Sequence, residues 1–412
     1  MTEPEPAAVK PKRPVWRRNL FVLWFGTFMA GLAFSEIMPF LSLYVDTLGN
    51  FTKDQLNLYS GITFSATYLV TAVASPIWGR LADRKGRKLM LLRASLGMAL
   101  VMGLMGAVTN VWELTALRFI QGIFSGYISN ANALMATQAP KSKSGQALGT
   151  LSTGYVAGSL FGPLVGGALA EVFSYRVTFF ITGVLLLSVF LVSYFFVTES
   201  FTPVKKENML SSKAVLGVIN HPKLILGMFI TTLIIQASNM SISPILSLYV
   251  REIMPKGSAI TLFSGIVAAI PGVATLFAAP QLGRLGDKIG TELILSIGFI
   301  FAILVYLPMA FVTNVWQLMF LRFLIGISNA TMLPAVQTIL SKNTPPQVTG
   351  RIFSWNQSFQ AVGSVLGPMI GSTVSTMFDY SGVFISTSIL VLLNFLLVWH
   401  NTASLRRGHL KR

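Results

Sequence analysis

Long apolar runs alternate with short polar connectors along almost the whole chain. The runs occupy residues 20–45, 58–78, 89–109, 112–136, 146–170 and 177–198, then 224–250, 259–281, 291–312, 315–340, 350–376 and 382–400. Each approaches or exceeds the roughly 20 residues that carry a helix across the hydrocarbon core of a bilayer. Twelve crossings are therefore expected, in two blocks of six. The boundaries read as a tail at 1–19, a bundle at 20–198, a polar linker at 199–222, a second bundle at 223–400 and a tail at 401–412. Run 20–45 is too long for a signal-peptide core and no small-residue cleavage site follows it, so it reads as a retained first crossing.

Charge sharpens this picture. Only 11% of the 412 residues are charged and mean hydropathy is +0.67, whereas soluble domains carry about a quarter charged residues. If the N-terminus is inside, the tails and the inner loops collect 25 of the 31 Lys and Arg residues. The outer loops hold Lys53, Arg176, Arg251 and Lys256, and Arg118 and Arg322 lie within runs. That asymmetry is the positive-inside pattern and predicts both termini in the cytoplasm of a plasma-membrane protein. It accounts for the net charge of +17 through orientation and anionic headgroups, so no nucleic acid partner is expected. Cysteine is absent, and the three histidines, His221, His400 and His409, lie in or beside polar segments. No metal site, cofactor or catalytic constellation is expected, and no phosphate-binding glycine loop for ATP is present.

The chain also repeats itself. Residues 108–123, VTNVWELTALRFIQGI, return as VTNVWQLMFLRFLIGI at 312–327. Leu41-Ser42-Leu43-Tyr44-Val45 returns at 246–250, Gly79-Arg80-Leu81 and Asp83 return as Gly283-Arg284-Leu285 and Asp287, and the segment from Gly158 to Pro163 returns from Gly363 to Pro368. All four offsets are 204 or 205. A six-crossing unit has been duplicated in parallel topology, which predicts an all-α membrane protein of two six-helix bundles with a site near mid-membrane between them.

Four features carry candidate chemistry. Between runs 2 and 3 stands Gly79-Arg80-Leu81-Ala82-Asp83-Arg84-Lys85-Gly86-Arg87-Lys88. Its glycines suit a tight turn, and its aspartate suits the positive end of a helix. In run 4, Arg118 and Gln121 lie in an apolar span, where an arginine is costly and normally functional; a structural pairing with Glu113 also fits the sequence. In run 5, Gly154, Gly158, Gly162 and Gly166 lie four apart on one helix face and admit a neighbouring backbone, while Pro163 suggests a kink. In run 1, Glu36 is the one acidic residue deep in a span. It fits a proton carrier or an attractor of cations, and it fits equally an ionised side chain in a wet outer vestibule. Pro39 and its counterpart Pro244 suggest kinks in the first helix of each half. Polar side chains inside runs are cavity candidates: Asn130, Asn132, Gln236, Asn239, Asn329, Trp355, Asn356, Gln357 and Gln360.

Segment 79–88 resembles the signature loop G-x-L-A-D-R-x-G-R-K of the major facilitator superfamily. The Arg118 segment is similar to that superfamily's fourth-helix motif, and the run 5 glycine face resembles the antiporter motif of its export branches. Segments 143–154 and 243–251 are similar to the Gram-positive multidrug, fluoroquinolone-type efflux pumps of the drug:proton antiporter branch. The resemblance implies the two-bundle fold with a pseudo-two-fold axis, export of small amphipathic substrates driven by protons, and a functional monomer. It implies proton coupling through Arg118, to which Glu36 is added as a second coupling candidate on its burial and charge, gating through Gly79, Asp83, Arg84, Gly86, Arg87 and Asp287, and an antiporter motif through Gly154, Gly158, Gly162, Pro163 and Gly166. Transport of one defined metabolite in the same fold, and a membrane sensor that moves nothing, stay open. The halves differ, since Ser241 stands where the first half has Glu36, which suggests coupling in the first half and more substrate contact in the second.

Overall fold

The computed structural model describes residues 15–140, 143–200, 221–345 and 348–403. Among them every regular element is helical. The first half contains α1 (Val15–Ser35), α2 (Leu41–Asp46), α3 (Lys53–Lys85), α4 (Arg87–Met105), α5 (Val111–Ile123), α6 (Tyr127–Gln138), α7 (Ser144–Val172) and α8 (Tyr175–Phe196). The second contains α9 (Pro222–Ser241), α10 (Ser243–Ile253), α11 (Ile260–Ile289), α12 (Thr291–Met309), α13 (Val315–Lys342) and α14 (Thr349–Asn401). Crossing 1 is α1 with α2, crossing 4 is α5 with α6, and crossing 7 is α9 with α10. Crossings 11 and 12 are the two arms of α14, which bends at Phe378 and Asp379. Asp379 takes φ +62 and ψ −178, backbone angles that residues with a side chain rarely adopt.

Each predicted run maps onto one crossing, with two differences. The first is the bend between crossings 11 and 12, where a loop was expected. The second lies in crossing 4, expected to be continuous. It breaks at residues 124–126, where Gly126 adopts φ +106, a conformation that suits glycine. The equivalent position in the second half is Ala330, and α13 runs through it unbroken. The expected kinks near Pro39 and Pro244 are present. α1 ends at Ser35 before a turn over residues 36–40, and α9 gives way to α10 at Ile242 with Pro244 in the first turn. Pro163 sits within a continuous α7.

Packing reproduces the duplication. In the first half α1 lies against α7 and α8, and α3 against α5; in the second α9 lies against α14, and α11 against α13. The halves meet through α3 with α14, α7 with α11, and α10 with α2 and α3. The start of α1 and the end of α14 lie at one face of the bundle, here the terminal face. The opposite side is the far face.

Candidate functional site

The two halves touch near the far face and part toward the terminal face. One side of α3 repeats every four residues through Gly61, Ser65, Leu69, Val73 and Ile77. Gly61 lies against the side chain of Ser372 and the carbonyl of Pro368, and the Ser65 hydroxyl donates to the Val365 carbonyl at 2.9 Å. Further along the same stripe the contact ends: Leu69, Val73 and Ile77 are exposed, Val73 by 65%. The other seam behaves alike. Gly265 on α11 lies against Pro163 and Gly167 of α7, while toward the terminal face Tyr155, Val156, Leu276 and Phe277 are exposed. A cleft with largely apolar walls therefore opens to the terminal face beneath a sealed far face.

The rim of that seal is ionic. Arg251 Nη1 lies 2.5 Å from Asp46 Oδ2. Lys53 Nζ lies 2.8 Å from Asp379 and 3.3 Å from Glu252, and 4.5 Å from the centre of the Tyr380 ring. Each of these contacts joins one half to the other. Asp46, Lys53, Arg251, Glu252 and Tyr380, with Phe51, border a cavity of about 360 Å3. The sequence marked Lys53 and Arg251 only as outer-loop basic residues and none of these pairings, yet a signal was present. Asp46 and Arg251 are equivalent positions of the repeat, 205 apart, with opposite charge. A two-fold axis brings a residue on it against its own equivalent, so opposite charges there attract.

Glu36 lies in the turn between α1 and α2 with no exposed surface. Thr182 of α8 donates its hydroxyl to Oε1, and Oε2 has no partner. This corrects the wet-vestibule alternative: α7 closes over the residue, with Gly166 packed on its backbone and Cβ. Sequence reasoning missed Thr182. Its signal is again the repeat, because Thr387 holds the equivalent position and bonds Ser241 at 2.9 Å. The carboxylate thus occupies the place of a serine in an inherited contact.

Arg118 is buried on α5. Its Nε donates to the Thr63 carbonyl at 3.2 Å and its Nη1 to Gln121 Oε1 at 2.7 Å, and Thr67 donates to the Arg118 carbonyl and to Gln121. The alternative pairing with Glu113 is absent. That carboxylate is exposed and accepts from the Thr109 backbone N–H at 2.7 Å and from the Thr109 hydroxyl. Glu36 and Arg118 do not meet; one is held by α8 and the other by α3.

The glycine face on α7 rides directly on α1. A Cβ at Gly154, Gly158, Gly162 or Gly166 would meet, in order, the carbonyl oxygens of Trp24, Phe28, Leu32 and Glu36. Spacing of four on both helices keeps the two backbones in register for four turns. Gly363, Gly367 and Gly371 repeat this against Leu233, Ala237 and Ser241.

Segment 79–88 differs from the expected loop. α3 continues to Lys85, so Gly79 is helical and open around its Cα, and the turn falls on Gly86 with φ +93. The side chains of Asp83 and Asp287 lie outside the described residues. Arg84 is exposed and Arg87 half-buried. The acidic group found at the start of α4 is Glu199, which accepts from the backbone N–H groups of Arg87 at 2.9 Å and Lys88 at 2.7 Å.

Several cavity candidates serve helix contacts in this state. Asn130 donates to the Gly126 carbonyl at the break in crossing 4. Gln236 donates to Ser364, Asn239 accepts from Tyr306, and Asn356 accepts from Thr232 at 2.7 Å. The Gln360 carbonyl accepts from Ser364. Asn132 and Trp355 are half-buried.

A model of the Major Facilitator Superfamily matches residues 23–257 and 228–409. The multidrug resistance protein MdtG of Dickeya zeae (strain Ech586) is 53% identical over 392 residues, 95% of each chain. The protein of that name from Salmonella heidelberg (strain SL476) is 52% identical over 395 residues, 96% of this chain and 97% of its own. Among solved structures, the nucleoside transporter NupG superposes with a TM-score of 0.78 at 13% identity, over 93% of this chain and 99% of its own. An inward-facing bacterial homologue of the human lysosomal transporter Spinster superposes with a TM-score of 0.77 at 13% identity, over 95% and 98%.

Proposed function

The chain belongs to the Major Facilitator Superfamily, and from that premise we propose that it exports small amphipathic compounds of the multidrug type, coupled to protons, by alternating access. The observation that carries this reading is the cleft: sealed at the far face, open at the terminal face, and walled by Leu69, Val73, Tyr155, Val156, Leu276 and Phe277. Such walls hold cargo by apolar burial, which selects weakly among amphipathic shapes. The relatives named as multidrug resistance proteins cover the chain end to end.

In this reading the terminal face is cytoplasmic, because the basic residues gather there, and cargo enters from the cytoplasm. The two bundles, at 20–198 and 223–400 with linker 199–222, rock against each other as a functional monomer. Glu36 carries the proton, with Thr182 positioning it, and Arg118 supports coupling through its bonds to α3. The α7 glycine face is the sliding contact beneath Glu36. Gly79, Asp83, Arg84, Gly86, Arg87 and Asp287 serve the gate at the terminal face. Asn132, Trp355 and Gln360 contact cargo from the cleft side, and Asn130, Gln236, Asn239 and Asn356 do so when their helix contacts rearrange.

The test is efflux of several dyes and a quinolone from cells expressing the protein, with and without an uncoupler. Uncoupler-sensitive efflux of more than one compound is expected, and strict selectivity for one metabolite would overturn the multidrug reading. In vesicles, drug-induced proton flux is expected to disappear in Glu36→Gln; unchanged flux removes Glu36 from coupling.

A further inference from the structure

The far-face seal is built twice from one sequence element. Ser60-Gly61 and Ser264-Gly265 are equivalent positions of the repeat, 204 apart. Each glycine lets its helix touch the other half. Gly61 meets Pro368 and Ser372, and Gly265 meets Pro163 and Gly167, which are themselves equivalents at an offset of 205. Beside each glycine the serine is fully buried, and in both copies its hydroxyl has no hydrogen-bond partner. Asn57, one turn toward the far face on α3, is also fully buried. Its carbonyl accepts from the Ser372 hydroxyl, while both polar atoms of its side chain have no partner.

Thr231, Ser238, Ser247 and Thr344 are also buried without partners, but many buried hydroxyls in this chain turn back onto their own helix, as Thr182 does to the Thr178 carbonyl and Ser95 to the Leu91 carbonyl, both at 2.9 Å. Ser60 and Ser264 do not. Buried polar groups without partners are uncommon and costly in folded proteins, more so at membrane depth. Here the cost recurs at one repeat position, each time next to the glycine that touches the other half. A group that is dry and unpaired in one state and wet in the other is accounted for by the second state.

We propose that Ser60, Ser264 and Asn57 line the path by which amphipathic cargo leaves through the far face, and that water reaches them when that face opens. This rests on the export reading above. In the sealed state their dehydration opposes the attraction between the halves, so the glycine contacts close tightly yet part again. Along the open path two hydroxyls and an amide offer exchangeable hydrogen bonds to the polar end of the cargo, without a fixed charge to trap it.

The chain has no cysteine, so Ser60→Cys and Ser264→Cys each introduce a single thiol of nearly the same size. Both are labelled in membranes with an impermeant thiol reagent applied from the far face, while a separate protein carrying spin labels on Asp54→Cys and Lys256→Cys reports whether that face opens. Labelling is expected to be slow at rest and at least fivefold faster when a dye and a pH gradient drive turnover. A second, label-free variant, Ser60→Ala with Ser264→Ala, removes two unpaired groups and is expected to shift the equilibrium toward the sealed state by about fivefold or more per hydroxyl. A far face that demonstrably opens while neither thiol reacts faster overturns the proposal, as does an alanine pair that leaves the populations unchanged. If the thiols respond to opening yet no dye moves, the path assignment stands and the export reading fails.

Discussion

Removing the ionic rim should unseal the far face by a predictable amount. Lys53 is the central post, since its ammonium reaches Asp379, Glu252 and the Tyr380 ring at once. These side chains are about half exposed: 47% for Lys53, 51% for Glu252 and 55% for Asp379. At that exposure solvent screening holds each pair to about 0.2–1 kcal/mol, and the cation–π contact adds about 0.5–1 kcal/mol. Lys53 cannot make all three contacts at full strength, so Lys53→Ala should cost the sealed state about 1 kcal/mol. The ratio of sealed to open protein then falls about fivefold. Arg251→Asp should do more, because it places two carboxylates where a 2.5 Å pair stood. Asp46→Arg combined with Arg251→Asp restores the attraction in reverse and should return most of the loss. The assay is the distance distribution between spin labels on Asp54→Cys and Lys256→Cys, one on each half at the far face, in low and high salt. High salt should weaken the wild-type seal more than that of Lys53→Ala, which keeps the Asp46–Arg251 pair. A swap that behaves like the single Arg251→Asp variant would refute the pairing as the source of the effect.

Three further outcomes follow from the same geometry. The rim itself should be insensitive to pH over the working range. Burial pushes the Asp379 pKa up, but hydrogen bonds from Lys53 and the Tyr380 N–H pull it below its ordinary value. Burial pulls the Lys53 pKa down, but Asp379 and Glu252 raise it above its own. The Asp379 contribution is present above about pH 3.9 and lost as pH falls through its lowered pKa; that of Lys53 is present below about pH 10.4 and lost as pH rises through its raised pKa. Far-face opening that varies between about pH 5 and 9 should therefore vary equally in Asp379→Asn, and a flattened profile in that variant would assign the sensitivity to the rim. Gly158→Leu forces a side chain into the Phe28 carbonyl and should lower thermal stability in detergent by more than the 1–3 kcal/mol typical of overpacking, whereas Gly79→Ala, in a helix with open space around it, should raise stability by about 0.5–1 kcal/mol; a stable Gly158→Leu protein would contradict the packing of α1 on α7. Glu199→Ala removes the acceptor for two N–H groups at the start of α4 and should cost about 0.5–2 kcal/mol, read as a lower melting temperature that Glu199→Asp partly restores.

Much of the fold was legible because membrane crossings announce themselves locally. A run of 20 apolar residues has one structural solution in lipid, and basic residues that cannot cross mark its ends. The exceptions are places where a few backbone angles override composition. Crossing 4 reads as one continuous run in sequence, yet it breaks at the left-handed Gly126. The turn expected within 79–88 falls at Gly86 because α3 stays helical for about two turns past run 58–78. Arg118 and Glu36 stood out by being charged in apolar surroundings, but their partners Thr63, Gln121 and Thr182 are ordinary residues in sequence, and contact alone gives them a role.

The sequence by itself determined a twelve-crossing, duplicated helical chain, its family and its internal equivalences, because hydrophobic length, charge placement and repeat offset are properties of the chain. Only the tertiary structure decided which equivalent positions face each other across the two-fold. It turned Asp46 and Arg251 into a pair, buried Glu36 against Thr182, and left Ser60 and Ser264 without partners in the seam. It also decided which face is sealed. A duplicated chain carries no record of the angle at which its halves meet, and that angle separates a buried stripe on α3 at Gly61 from an exposed one at Val73.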